Sequence, residues 1–169
     1  METLQAIHTR RSIRKYAADK VERETIIEVL KAAMAAPSAG NQQPWRFVVI
    51  ESRETLDRIP SIHPYAGMVP SASCAIMVCG DTSAEKYPGN WMLDCAAAVQ
   101  NMLLALHDKG LGAVWCGLWP DAARVDSFRA LAGLPEHIVP LALVPVGIPD
   151  QKTGAHDRFD ESKIHWERW

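Results

Sequence analysis

The sequence predicts one α+β domain spanning residues 1–169. Helical periods recur along the chain, in an amphipathic stretch from Glu22 to Ala35 and a long apolar one from about Asn90 to Lys109. Two short runs, Cys74–Cys79 and Val139–Val146, are continuously apolar, as strands buried on both faces of a sheet are. No internal repeat, low-complexity tract or linker divides the chain. At 169 residues and 48% apolar composition, the chain can bury roughly 70% of its unfolded surface, so its core needs neither disulfides nor a structural metal.

Leu4 and Ile7 predict a short first helix that stops in the basic run Arg10, Arg11, Arg14 and Lys15. The helix from Glu22 to Ala35 sets Ile26, Ile27, Leu30, Ala33 and Met34 on one stripe, with Glu24, Glu28 and Lys31 off it, and ends before Pro37. Two prolines and a glycine make Pro37–Pro44 a loop, and Arg46–Ile50 follows as a strand. Ser52 caps a short helix through Leu56 and Ile59. Pro60, Pro64, Gly67 and Pro70 then punctuate a long irregular excursion, the kind of loop that forms a lid or binding wall. Cys74–Cys79 is a buried strand. Tyr87–Trp91 turns into the long helix, which is apolar around most of its circumference and must be covered on several sides. Gly110-Leu111-Gly112 closes it, and Ala113–Cys116 is a short strand ending at Gly117. Asp121 caps a helix through Leu131. Val139–Val146 is a strand whose Pro140 and Pro145 suit an edge or a bulge. Asp150–Trp169 has no clean period and reads as an arm that packs on something.

Charge excludes several functions. With 18 Lys+Arg against 20 Asp+Glu, a net charge of −2 and a pI near 6.3, the chain is not built to coat a nucleic acid. Its longest uncharged apolar stretch, Ile138–Pro149, is too short for a bilayer, which takes about 20 residues. No signal peptide opens the sequence, and Cys74, Cys79, Cys95 and Cys116 lack metal-ligand spacing. Free buried thiols and a cytoplasmic location are expected, with no metal, nucleic-acid or membrane partner.

Two segments carry candidate chemistry. Arg10, Arg11, Ser12, Arg14 and Lys15 offer guanidiniums, an ammonium and a hydroxyl that suit the oxygens of a phosphomonoester or nucleotide; by composition the same run also fits a solvated basic turn. Pro37-Ser38-Ala39-Gly40-Asn41-Gln42-Gln43-Pro44-Trp45 holds amides and a hydroxyl in a restrained frame, as reading a heterocycle edge requires, and equally fits a rigid helix-to-strand connection. His8, His63, His107, His137, His156 and His165 are scattered. No nucleophile elbow, phosphate loop or zinc-protease motif is present, so an enzyme built from this sequence would leave the hard chemistry to a cofactor.

Arg10-Arg11-Ser12-Ile13-Arg14-Lys15-Tyr16, Ala36–Trp45, the long helix with Asp94 and Gln100-Asn101, Gly110-Leu111-Gly112 and the ending Arg158–Trp169 together resemble the nitroreductase family of FMN-dependent oxidoreductases. The likeness spans nearly the whole chain in order. It implies a central mixed or antiparallel sheet flanked by helices, and an intertwined homodimer with one FMN in each of two interface clefts. By position, Arg10, Arg11, Ser12 and Arg14 would hold the phosphate and ribityl chain, and Arg158 would reach the phosphate. Pro37, Ser38, Ala39 and Asn41 would come from the partner to line the isoalloxazine, with Gln43 reaching the ribityl or ring. Gly117 and Leu118 would present backbone N–H groups to the flavin's reactive edge.

The activity so implied is ping-pong transfer of electrons from NADH or NADPH through FMN to a small acceptor such as a nitroaromatic, quinone or free flavin, with no catalytic side chain. Ser61–Ser73, with His63, Tyr65 and Met68, is the expected acceptor wall. Sibling flavin chemistry, either reductive dehalogenation or flavin breakdown, and a non-catalytic flavin-binding module are the alternatives.

Overall fold

A computed structural model describes residues 1–154 and 157–169. Five helices, α1 (Thr3–Thr9), α2 (Arg23–Met34), α3 (Arg53–Ile62), α4 (Trp91–Asp108) and α5 (Ala122–Ala132), surround five strands, β1 (Trp45–Ile50), β2 (Cys74–Asp81), β3 (Gly112–Ala113), β4 (Cys116–Gly117) and β5 (Ile138–Gly147). The sheet runs β1-β2-β5-β3, with β4 also on β5, and each of these ladders is antiparallel.

Strand alternation divides the core between two layers of helices. From β2, Cys74, Ile76 and Val78 join α2 and the buried face of α4. The intervening Ala75, Met77 and Cys79 join Leu56 and Ile59 of α3 and Phe128 of α5. All eight residues of β2 are buried, which explains why its sequence does not alternate. The caps act as expected: the Ser52 hydroxyl accepts the Thr55 N–H at 3.4 Å, and the Asp121 carboxylate accepts the Arg124 N–H at 3.1 Å.

Three expectations need correction, and another is met in one of its two forms. Helix α3 runs through Pro60 to Ile62, because a proline in the final turns forfeits a single ladder bond. The strand expected at Ala113–Cys116 is divided into β3 and β4, with Val114 and Trp115 between them. Of the two settings expected for the prolines of β5, an edge or a bulge, the second is found at Pro140: the strand lies inside the sheet, with Pro140 at the register shift opposite Cys79 and Pro145 between the residues paired with β4 and those paired with β3. On α2 the buried stripe is Ile26, Val29 and Ala33, while Ile27 and Met34 are about half exposed.

The basic segment is fastened to the sheet by a pair of glycines. Gly112 and Gly147 face each other in the β3·β5 ladder, and Ile13 and Tyr16 lie over them. A Cβ at Gly112 would stand 2.6 Å from Ile13 Cγ2, and one at Gly147 2.9 Å from Tyr16 Cδ1. The Ile13 N–H donates to the Ala113 carbonyl, and the Ala17 N–H to that of Ile148, each at 2.9 Å. The Tyr16 hydroxyl donates to the Ile13 carbonyl at 2.7 Å. Gly112→Ala and Gly147→Ala should each lower stability by about 1–3 kcal/mol through overpacking. Gly67→Ala, where a Cβ meets nothing within 4 Å, should stay within about 0.5 kcal/mol. Urea unfolding of the three variants checks this.

Candidate functional site

Anchoring at Ile13 and Tyr16 fixes where the flanking arginines go. Arg10 and Arg11 line a cleft of about 800 Å³ whose far side is Thr153, Gly154, Asp157, Arg158 and Phe159. Arg11 donates to the backbone carbonyls of His8, Arg10 and Gly154 at 2.7–3.0 Å. The Arg10 guanidinium is held below its usual pKa, first by burial and then by the charges of Arg158 and Arg11. Among the described residues, none of these three arginines forms an ion pair. Three converging guanidiniums without a paired carboxylate fit a phosphate, whose oxygens match their donors and whose charge relieves their repulsion. Ser12 sits part-buried beside them.

Arg14 goes elsewhere. It lines a second cavity of about 340 Å³ with His63, Tyr65, Met68, Trp115, Gly117 and Arg124. His63 is 1% exposed and bonded at both ring nitrogens. Nδ1 accepts the Tyr65 N–H at 3.3 Å, so Nε2 carries the proton donated to the Gly117 carbonyl at 3.1 Å. Arg124 donates to the same carbonyl at 3.4 Å, pairs with Asp121 at 3.1 Å and lies 5.7 Å above the Tyr65 ring. Gly117 is thereby held on the cavity wall. Leu118 requires a correction: its side chain is fully buried and its N–H donates to the Leu141 carbonyl at 3.0 Å, which leaves it no donor for a ligand. The expected wall residues His63, Tyr65 and Met68 do gather in this cavity. Arg124 carries no signal in the sequence, where it is an ordinary first-turn residue beside its cap.

The amide loop is built around a tight turn at Ala39–Asn41; Gly40 and Asn41 within it and Gln43 just after it have positive φ, at 51°, 54° and 48°. Two of these are not glycine, a cost that persists only where surroundings enforce the shape. Here Asp94 enforces it, accepting the Ala39 N–H at 2.9 Å and the Gln42 Nε2 amide at 2.7 Å. The Ser38 hydroxyl accepts the Gln43 N–H at 3.0 Å, and Gln43 Nε2 donates to Asn41 Oδ1 at 2.9 Å. Tyr87 covers Gly40, where a Cβ would come within 2.4 Å of its ring.

The loop and the arginine cleft stand at opposite ends of α4. Asp94 holds the loop near the N-terminus of that helix, whereas His107, in its last turn, bonds Thr9 at 2.7 Å beside Arg10. From Asp94 to His107 the helix rises about 20 Å, more than a ribityl chain can bridge. Within one copy Pro37, Ser38, Ala39, Asn41 and Gln43 thus stand toward the opposite end of α4 from Arg10, Arg11 and Arg158. The surfaces around this axis are apolar: Leu4, Ile7, Ile27, Met34 and Leu93 are 47–69% exposed, and Trp166 and Trp169 of the arm are 84% and 101% exposed.

The four thiols are free and buried, and burial pushes Cys74, Cys79 and Cys95 up to about 12 and Cys116 to about 11. They are poor nucleophiles. Among the described residues no His, Cys, Asp and Glu group could hold a metal ion, and no helix is long and apolar enough to cross a membrane. His156 lies outside the described residues.

The chain belongs to the nitroreductase family, whose model matches residues 7–75 and 63–148. It is 50% identical, over all of its length and 88% of the relative's, to a protein of Methanothermobacter thermautotrophicus provisionally named NADH dehydrogenase/NAD(P)H nitroreductase. A crystal structure from Parabacteroides distasonis under the same provisional name superposes with a TM-score of 0.95 at 41% identity, covering 99% of this chain and 98% of that one. A crystal structure of a provisionally named nitroreductase from Desulfovibrio desulfuricans, in complex with FMN, superposes at 0.84 with 33% identity, covering 100% and 99%.

Burial, and after it the Arg124 charge, holds the His63 imidazole below its usual pKa, against weaker opposing effects of the Gly117 bond and Asp121. Folding therefore favours the neutral ring. Its contribution is complete above the unfolded value of about 6.5 and is lost as pH falls toward the lower folded value. Thermal unfolding from pH 7 to 5 should show a loss of up to about 1.4 kcal/mol per pH unit from this group, and the slope should be shallower in His63→Gln.

Proposed function

We propose that this chain, as a single FMN-binding domain over residues 1–169, is an oxidoreductase that passes electrons from NADH or NADPH to a small oxidised acceptor of the nitroaromatic, quinone or free-flavin class. It works as a homodimer with one FMN in each of two interface clefts. The observation that carries this reading is the separation of the unpaired arginine cleft and the strained amide loop along α4, which a second antiparallel copy would bring together. Family membership and the FMN complex of a 33% identical relative support the cofactor.

In this reading Arg10, Arg11 and Arg158 bind the phosphate, and Ser12 adds a hydroxyl. Arg14 and the Gly117 segment meet the ring end, where the guanidinium favours negative charge. Pro37, Ser38, Ala39, Asn41 and Gln43 of the second copy close over the ring and exclude water. FMN held there would supply two-electron redox chemistry between a nicotinamide and an acceptor that occupy the same cleft in turn, a ping-pong order. The protein's own groups contribute orientation and electrostatics. The free buried thiols accord with a cytoplasmic location.

The purified protein should carry or take up FMN, elute as a dimer, and consume NADH or NADPH with a nitroaromatic or quinone, giving parallel initial-velocity lines. A monomer that cannot be reconstituted with FMN would exclude the reading. Arg10→Ala and Arg158→Ala should each weaken FMN binding by about 10- to 100-fold, the worth of a charged hydrogen bond, with melting temperatures near that of the parent. Flavin fluorescence titration reads the first quantity and circular dichroism the second.

A further inference from the structure

We infer that Asp94 and Gln42 form a positioning pair that sets the amide loop in its ligand-ready shape, an inference that rests on the proposed FMN site. Asp94 is 5% exposed and Gln42 7%. Both carboxylate oxygens are used, one by the Ala39 N–H and one by Gln42 Nε2. The other end of the Gln42 amide, Oε1, accepts the N–H groups of Lys86 at 2.8 Å and Tyr87 at 3.2 Å. Three segments thus meet at one buried group: the loop, the first turn of α4 and the stretch before it.

A buried carboxylate is costly without compensation. Asp94 has no cation in ion-pair reach among the described residues; its compensation comes from the N-terminal end of α4 and from the two loop donors. Those donors lie on either side of Gly40 and Asn41, two of the residues with positive φ. Asp94 thereby holds the strained turn from both flanks, while Gln42 carries the restraint on to Tyr87, whose ring covers Gly40. An acceptor on one residue and a bridging amide on the other are what the geometry requires. Nothing in it requires the charge to sit at position 94.

The pair can therefore be inverted. In Asp94→Asn the new amide nitrogen faces Gln42 Nε2, donor against donor. In Gln42→Glu two carboxylates oppose each other. In the double variant the amide oxygen introduced at position 94 accepts from Ala39, and the amide nitrogen beside it donates to the carboxylate at position 42. That carboxylate still accepts from Lys86 and Tyr87. Each single variant should bind FMN about tenfold or more weakly, with faster hydrogen exchange at the Ala39 and Gln43 amides. The double variant should recover the parent's affinity to within about threefold, and its protection. Folded single variants that bind FMN as the parent does, or a folded double variant that stays as weak as the singles, would overturn the pairing. Failure of the parent to bind FMN would instead remove the proposed function, and the exchange rates alone would then decide the pairing: protection lost in the singles and restored in the double supports it, and unchanged protection overturns it.

Discussion

Helix α4 is a rigid spacer, and most of what the molecule can do follows from its length. Its buried face, from Trp91 through Leu106, packs on the sheet and α2, so neither end can shift without disturbing the core. The first turn carries the carboxylate that shapes the amide loop, and the last turn carries His107 against α1 and the arginines. About 20 Å of helix separates these features. Leu93, 68% exposed on the first turn, and the separation of the two ends are what the proposed second copy would account for.

Electrostatics complements that geometry. The chain is nearly neutral overall, yet among the described residues Arg10, Arg11 and Arg158 converge without a paired acid, whereas Arg124 is paired with Asp121 at 3.1 Å and Arg46 with Asp81 at 2.7 Å. An uncompensated cluster costs folding energy, and its burial depresses the Arg10 guanidinium. The phosphate of the proposed FMN would offset that cost. The cysteines and His63 inside the core do the opposite: the cysteines are held as thiols, and His63 is held neutral first by burial and then by the charge of Arg124. These four thiols and His63 are thus quiet at neutral pH, which suits a scaffold that borrows its chemistry.

Much of the fold is legible in the sequence because its signals are local. The helix at Glu22–Ala35, the caps at Ser52 and Asp121 and the buried run at Cys74–Cys79 depend on period, cap chemistry and continuous apolarity, and each element forms with its boundaries within a few residues. The differences arise where a neighbour decides. Pro140 and Pro145 suit an edge or a bulge alike, and the neighbouring strands choose: a register shift at Pro140 and the gap between β3 and β4 beside Pro145 accommodate them inside the sheet. Ile27 and Met34 look like core, yet the sheet receives only the face of α2 carrying Ile26, Val29 and Ala33. Leu118 follows Gly117 in the motif, but the alternation of backbone donors turns its N–H into the sheet.

The sequence by itself determined the element order, the basic run and the amide loop, since these are properties of residue types and their spacing along the chain. Only the tertiary structure decided that Arg158 meets Arg10 and Arg11, that Arg14 parts from them to join His63 and Gly117, and that Asp94 and Gln42 hold the loop. Those pairings link residues tens to more than a hundred positions apart. They are set by how the helices seat on a twisted sheet and by two glycines that let Ile13 and Tyr16 come down onto it, and no local pattern encodes such distances.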